Sequence, residues 1–196
     1  FSASMHVLVV ERAAPQVHQL TWMSRAGRVL GTVGPAANLE SFALARDERT
    51  VAAAVTDSSS RHRDLWLFDG PGASGKRLTF QLDARRPLWA RDGNVVYFTT
   101  MPGFEQWSMR LSGGGRPEPF ENPGKFAHFE DITSDYVVFK SAYPVTGVWI
   151  QRVGAPLERR ELVSDPVGAF GPRLSPDGRW LAYSLNLPEG SEVFVQ

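Results

Sequence analysis

Residues 69–77 read DGPGASGKR, and the spacing Gly70, four residues, Gly75-Lys76 falls one residue type short of a phosphate-binding loop, G-x-x-x-x-G-K-[ST]. In that chemistry, backbone N–H groups of the loop and the N-terminus of a following helix cradle phosphate, and the hydroxyl after the lysine holds magnesium. Here Arg77 stands where the hydroxyl belongs, and RLTFQ, a strand-like run, stands where the helix belongs. Glycine-containing connections running into arginine recur as SRAGR (24–28), LSGGGR (111–116) and VGAPLERR (153–160). The loop is therefore expected to be a hairpin tip, where glycines supply turn geometry.

Other reactive constellations are sparse. The four histidines, His6, His18, His62 and His128, show neither H-x-H nor H-E-x-x-H spacing. DSSSRHRD (57–64) lacks the D-x-[DN]-x-[DN]-G of a calcium loop. The nearest string to a serine nucleophile elbow, GASGK (72–76), has lysine in place of the last glycine. There is no cysteine, which removes disulfides, thiolate metal sites and cysteine nucleophiles. No catalytic residue, cofactor or metal is expected in this chain.

What remains is charge on loops. SSSRHRD (58–64) and DARRP (83–87) are basic clusters. Arg61, His62, Arg63, Arg85 and Arg86 would form a positive rim for an anionic ligand or an acidic peptide if the two segments open on one face. Alternatively they are solvated loop charges balanced by Asp57, Asp64 and Asp83. Phe104 in TMPGFEQ and Tyr143 in SAYPVTG are candidate contact aromatics on the same face, or caps on strand edges.

The elements that would carry these residues are short strands. Eighteen glycines and 14 prolines punctuate the 196 residues evenly, and no stretch has a convincing 3.6-residue period, so the chain reads as all-β. Hydrophobic residues make up 42% and charged residues 21%, ordinary for a folded domain with a real core. Net charge is zero, which argues against a nucleic-acid binder, and no apolar run approaches a membrane span. The N-terminus lacks a basic start and a long apolar region, so no signal peptide is read there. Because it is not Met, the chain is expected to be processed or part of something longer.

A repeat organises the strands. RDLWLFD, FEQWSMR and TGVWIQR place Trp66, Trp107 and Trp149 at nearly constant spacing, with Val193 in GSEVFVQ and Thr21 in HQLTWMSR continuing the series. In step with it, ARDERTVAAAV, ARDGNVVYFTT, ITSDYVVFKSA and LSPDGRWLAYS each set a polar turn before an apolar strand; Asp92-Gly93 and Asp177-Gly178 are hairpin signals. Each unit reads as strands a, b, c and d. Four-stranded units of 40 to 45 residues are propeller blades, because one blade cannot bury both faces of its sheet alone. The expected fold is an all-β propeller segment with four blades (1–37, 38–81, 82–123, 124–166) and an incomplete fifth (167–196), the three tryptophans filling interfaces between blades.

LSPDGRWLAYS with EVFVQ, and RDLWLFD…KRLTF with PLWARDGNVVYFTT, resemble WD40-like propeller repeats of the TolB-like type over essentially the whole chain. The order FSAS…VLVV…QLTWMSRAGRVLGTVGP…RDLWLFD…RLTF is similar to the C-terminal propeller of bacterial serine/threonine protein kinases. RDERT lacks the Gly, ITSDYV lacks Pro-Asp-Gly, and SASMHV lacks Asp and Gly. The resemblance implies a non-catalytic binding or sensing module, outside the cytoplasm, joined elsewhere to a kinase. The alternative it implies is the substrate-filtering propeller of a prolyl-oligopeptidase-like peptidase. Expected partners are a protein or small ligand on the loop face, with no nucleic acid and no membrane insertion. The open ends of the arc are expected to close against further blades or a second copy, since EVFVQ has no strand d to pair with.

Overall fold

The structure is a computed structural model that describes residues 2–3, 7–14, 17–120, 127–141, 147–164, 168–175 and 177–196. Among the described residues every regular element is a β-strand. The first blade holds β1 (Ser2–Ala3), β2 (Val7–Ala14), β3 (Val17–Ser24) and the first part of β4 (Val29–Leu44). β4 pairs with β3 as far as Ala37 and with β5 (Thr50–Thr56) from Asn38 onward. It thus ends one blade and begins the next without a break, and β6 (Arg63–Asp69) and β7 (Lys76–Arg77) complete the second.

Blade three comprises β8 (Ala84–Trp89), β9 (Val95–Thr100), β10 (Glu105–Arg110) and β11 (Pro117–Pro119). Blade four comprises β12 (Ala127–Ile132), β13 (Tyr136–Ser141), β14 (Gly147–Arg152) and β15 (Ala155–Ser164). A three-stranded sheet of β16 (Ala169–Leu174), β17 (Leu181–Leu187) and β18 (Gly190–Val195) follows. All pairings are antiparallel between neighbours in sequence, and the sheets pack in chain order through their first strands, β4 on β8, β8 on β12 and β12 on β16.

Strand b of blades two, three and four is apolar at successive positions because both its faces are covered. Val51 and Ala53 pack toward blade one with Leu20, Trp22 and Val33, whereas Ala52 and Ala54 pack toward blade three with Val96 and Phe98. Phe129 and Phe139 stack at 5.3 Å, with Tyr97 edge-on to Phe129 at 5.7 Å, between blades three and four. Burying a side chain the size of Phe139 contributes about 2 to 3 kcal/mol.

Register ties the tryptophans to one position: Trp66 lies opposite Ala53, Trp107 opposite Phe98 and Trp149 opposite Phe139, with Thr21 opposite Val10 and Val193 opposite Ser184. All three indoles are half-buried, each packed against the interface with the preceding blade. The a–b turns also share a design. Asp92 and Asp177 accept backbone N–H bonds from Asn94 (2.9 Å) and Arg179 (3.1 Å), while Gly93 and Gly178 take positive φ of 69° and 71°. Asp47 does the same for Arg49 and Thr50, with Glu48 at φ 57° in the glycine slot. In blade four the turn closes between Thr133 and Tyr136, two residues shorter than its counterpart between Ala90 and Val95. There the Thr133 hydroxyl, not Asp135, accepts from the backbone.

Strand a carries an interruption in blades two to five, falling after Leu39, Arg85, Phe129 and Phe170. A bulge ejects residues from the ladder and re-aims their side chains. Here the residues beside or within it are Glu40, Arg86, Glu130 and Arg173, all charged, on the innermost strands of successive blades.

Candidate functional site

The b–c loop of blade two (57–62) and the connection into blade three (78–83) open on one face. Asp64 Oδ2 accepts the Gln81 N–H at 3.0 Å, and Arg63 reaches Asp83 at 3.5 Å. The structure brings Arg63 and Arg85 together around Glu40 and Asp83: Arg63 meets Glu40 at 2.5 Å, and Arg85 meets Glu40 at 3.5 Å and Asp83 at 3.2 Å. Arg86, at φ 51°, turns away to Glu130 at 3.3 Å, which Arg173 also approaches at 3.7 Å. Arg85, Arg86 and Arg173 alternate with carboxylates along the bulged inner strands and are neutralised there, Arg63 joining them from β6.

Burial pushes the Glu130 carboxyl above the usual range, against the pull of Arg86, Arg173 and Lys140. Asp131 is likewise raised by burial, although the Leu174 N–H donates to it at 2.7 Å and holds blade four to the next sheet. Burial, helped by Arg86 and Lys140, lowers His128 to about 4, so its ring is neutral near pH 7. Phe104 sits edge-on to that ring at 4.9 Å and covers it. Tyr143 lies outside the described residues.

Arg61 and His62 are exposed on the b–c loop of blade two. The loop holds itself together. Asp57 Oδ1 accepts from Ser59 and Ser60 N–H at 2.9 and 2.7 Å, which keeps its carboxyl below the usual range. Arg61, at φ 58°, is left without a side-chain partner among the described residues. Beside it runs a groove of about 430 Å³ lined by Val17, Ala36, Ala37, Asn38, Thr56, Asp57, Ser58 and Arg61. It shares Thr56, Asp57 and Ser58 with a recess of about 200 Å³ at Val55, Trp66 and Arg77. Trp66 also walls an apolar slot of about 70 Å³ between Leu20, Val33, Pro35, Leu39 and Phe68.

Trp66 and Trp107 are equivalent, yet their N–H groups differ. Trp107 Nε1–H donates to Thr100 Oγ1 at 3.0 Å. The residue equivalent to Thr100 in blade two is Val55, which offers no acceptor, and Trp66 Nε1–H has none among the described residues.

Asp64 is the residue whose role the sequence concealed. It is 1% exposed and gathers Thr79 Oγ1–H (2.7 Å), Gln81 N–H (3.0 Å) and the Arg77 guanidinium (2.5 Å), pinning strands c and d of blade two. Arg77 also lies over the Phe80 ring at 5.0 Å. The glycine-rich stretch 70–75 is the tip of this same hairpin, with no helix after it. Gly75 and Gly34 both lie flat on the Phe68 ring; a Cβ at either would fall 2.4 or 2.3 Å from it, so these glycines serve packing. Among the described residues no three His, Asp or Glu side chains gather as a metal would need.

Bulged inner strands, an Asp-capped a–b turn in three of the sheets and tryptophans repeated on strand c define a β-propeller fold. The chain superposes on TolB from Acinetobacter baumannii with a TM-score of 0.77 at 18% identity, covering 97% of this chain and 49% of that one. The β-propeller domain of the trilobed protease from Pyrococcus furiosus follows it with a TM-score of 0.65 at 14% identity, over 100% of this chain and 67% of that one. In sequence, the uncharacterized peptidase YuxL of Bacillus subtilis is 26% identical over 148 residues, which is 75% of this chain and 22% of YuxL. The chain thus spans less than a quarter of that relative's length. No protein-family model matches it.

Proposed function

We propose that this chain is a non-catalytic binding module whose ligand face is the b–c loop side. The observation that carries this is the contrast among its cations. Arg63, Arg85 and Arg86 are consumed by Glu40, Asp83 and Glu130, whereas Arg61, beside a groove, has no side-chain partner among the described residues. A rigid sheet scaffold presenting a loop-lined groove suits recognition. Selection of a random peptide library on the immobilised 196-residue chain tests it. Enriched sequences that bind the purified chain reversibly and emerge intact are expected; turnover of those peptides, or no enrichment, overturns it.

Two finer readings separate by gene context. The sequence order of the repeats favours the sensor portion of a bacterial serine/threonine kinase, for which a kinase domain is expected upstream. The similarity to YuxL favours the accessory ring of a peptidase, for which an α/β-hydrolase domain is expected downstream. The outer edge of β18, with Val193 and Val195 exposed, is covered in the same proposal by further blades of a longer chain or by a second copy. Sedimentation of the isolated chain as a compact monomer would remove the second copy.

A further inference from the structure

We infer that the groove between blades one and two binds an extended peptide in which a branched aliphatic residue is followed directly by an acidic one. This inference rests on the binding-module reading and names its ligand. Three observations converge. The slot beside Trp66 is lined by apolar residues except at Ser74 and holds only a few carbons, the size of a leucine or valine side chain rather than of an acyl chain. It adjoins the larger groove through Ala37 and the smaller recess through Val55 and Trp66, and the larger groove adds polar residues to its lining. Asn38, Thr56 and Ser58 there provide donors and acceptors of the kind that a peptide backbone uses and a lipid does not.

Charge fixes the neighbouring residue. Two carboxylates and two guanidiniums face the continuous space. Asp64 is paired with Arg77, and Asp57, although charged, has Oδ1 engaged by the amides of Ser59 and Ser60 and makes no ion pair with Arg61. Among the described residues Arg61 is the groove's cation outside any ion pair, on a loop whose backbone is held by the Asp57 carbonyl and by the bond from Asp57 N–H to His62 O. A guanidinium held by its backbone and free at its tip is suited to a bidentate carboxylate. The Trp66 N–H, which has no acceptor among the described residues, is a further donor on a side chain that lines both the slot and the recess.

The test uses the 196-residue chain and three blocked peptides, acetyl-Gly-Leu-Asp-Gly-amide and its Leu-to-Ala and Asp-to-Asn relatives, titrated by NMR into the wild type, Arg61→Ala and Ala37→Leu. Arg61 is exposed and Ala37 half-buried at the slot mouth, so both variants are expected to keep the wild-type amide spectrum elsewhere. On the wild type the parent peptide is expected to bind about fivefold or more tightly than either relative. Arg61→Ala is expected to erase the Asp/Asn difference and leave the Leu/Ala difference; Ala37→Leu, by filling the slot, is expected to do the reverse. No binding of any peptide at millimolar concentration overturns the inference, as does an Asp preference that survives Arg61→Ala. If library-selected peptides bind elsewhere and are not displaced by the parent peptide, the ligand assignment falls while the binding module stands.

Discussion

Blades two and three are built on one register, yet they treat the same positions differently. Asp64 and Glu105 each stand two residues before the tryptophan of strand c. Asp64 is buried and ties the hairpin of blade two together, while Glu105 is exposed at the end of its strand. Trp107 is closed by Thr100; Trp66 faces Val55 and borders a slot. The b–c loop of blade three is covered where Phe104 meets His128 of the next blade, whereas that of blade two is braced from within, by its own Asp57 and Ser60. The lesson is that a repeat specifies where side chains go, and single substitutions within it decide which interface is sealed and which stays open to a ligand.

The sharpest way to break this comparison is at strand c. Asp64→Ala strands Arg77 and Thr79 and is expected to cost about 3 kcal/mol or more in urea unfolding, whereas Glu105→Ala is expected to stay within about 0.5 kcal/mol. Equal effects would mean the two positions are not the anchor and the free end they are taken for. Next come the indoles. Trp107→Ala, in a filled interface, is expected to cost about 3 to 5 kcal/mol, and Trp66→Ala, which already borders empty space, about 2 kcal/mol. The reverse order would show that the slot is filled in solution.

The loops respond to acid in opposite ways. The folded pKa of His128, about 4, lies below its ordinary 6.5, so its contribution is whole above 6.5 and is lost as pH falls from there toward 4. With its ring partly in solvent, that loss is expected to be about 1 to 2 kcal/mol, read from urea midpoints, and absent in His128→Gln. Glu130, raised by burial, acts in the other direction: its protonation in acid favours the fold and blunts the change. The ¹⁵N heteronuclear NOE of Gly103 is expected to fall over this window. That of Ser59 should hold, because Asp57 stays charged. The smallest effect is Val55→Thr, which gives Trp66 the acceptor that Trp107 has. A gain of about 0.5 to 1 kcal/mol and a downfield shift of the Trp66 indole proton are expected; no shift would detach the open slot from the missing hydroxyl.

The fold was legible because its signals are local and repeated: tryptophans on strand c, Asp-Gly turns, and a strand b apolar at consecutive positions. The rim was less so. Arg63, Arg85 and Arg86 read as one basic face because their partners Glu40 and Glu130 lie more than 20 and some 44 residues away and come near only once blades stack. A signal did exist: charges of alternating sign, at Glu40, Arg85, Glu130 and Arg173, fall near one blade apart on strands that should be apolar. Asp64 gave no such hint, because in RHRD a carboxylate looks like loop charge until Thr79 and Arg77 close over it. The slot was invisible for a different reason: it is a volume left by several side chains, and no single residue encodes it.

The unbroken β4 bears on how the chain comes apart. A protease cutting between repeats needs several residues of exposed, unpaired backbone, and at the first junction there are none, since Ala37 is bonded in one sheet and Asn38 in the next. The first two units therefore have no seam. They should release amide protons as one cooperative block, and a shuffled or truncated version of this chain would be better joined at any other boundary than at this one.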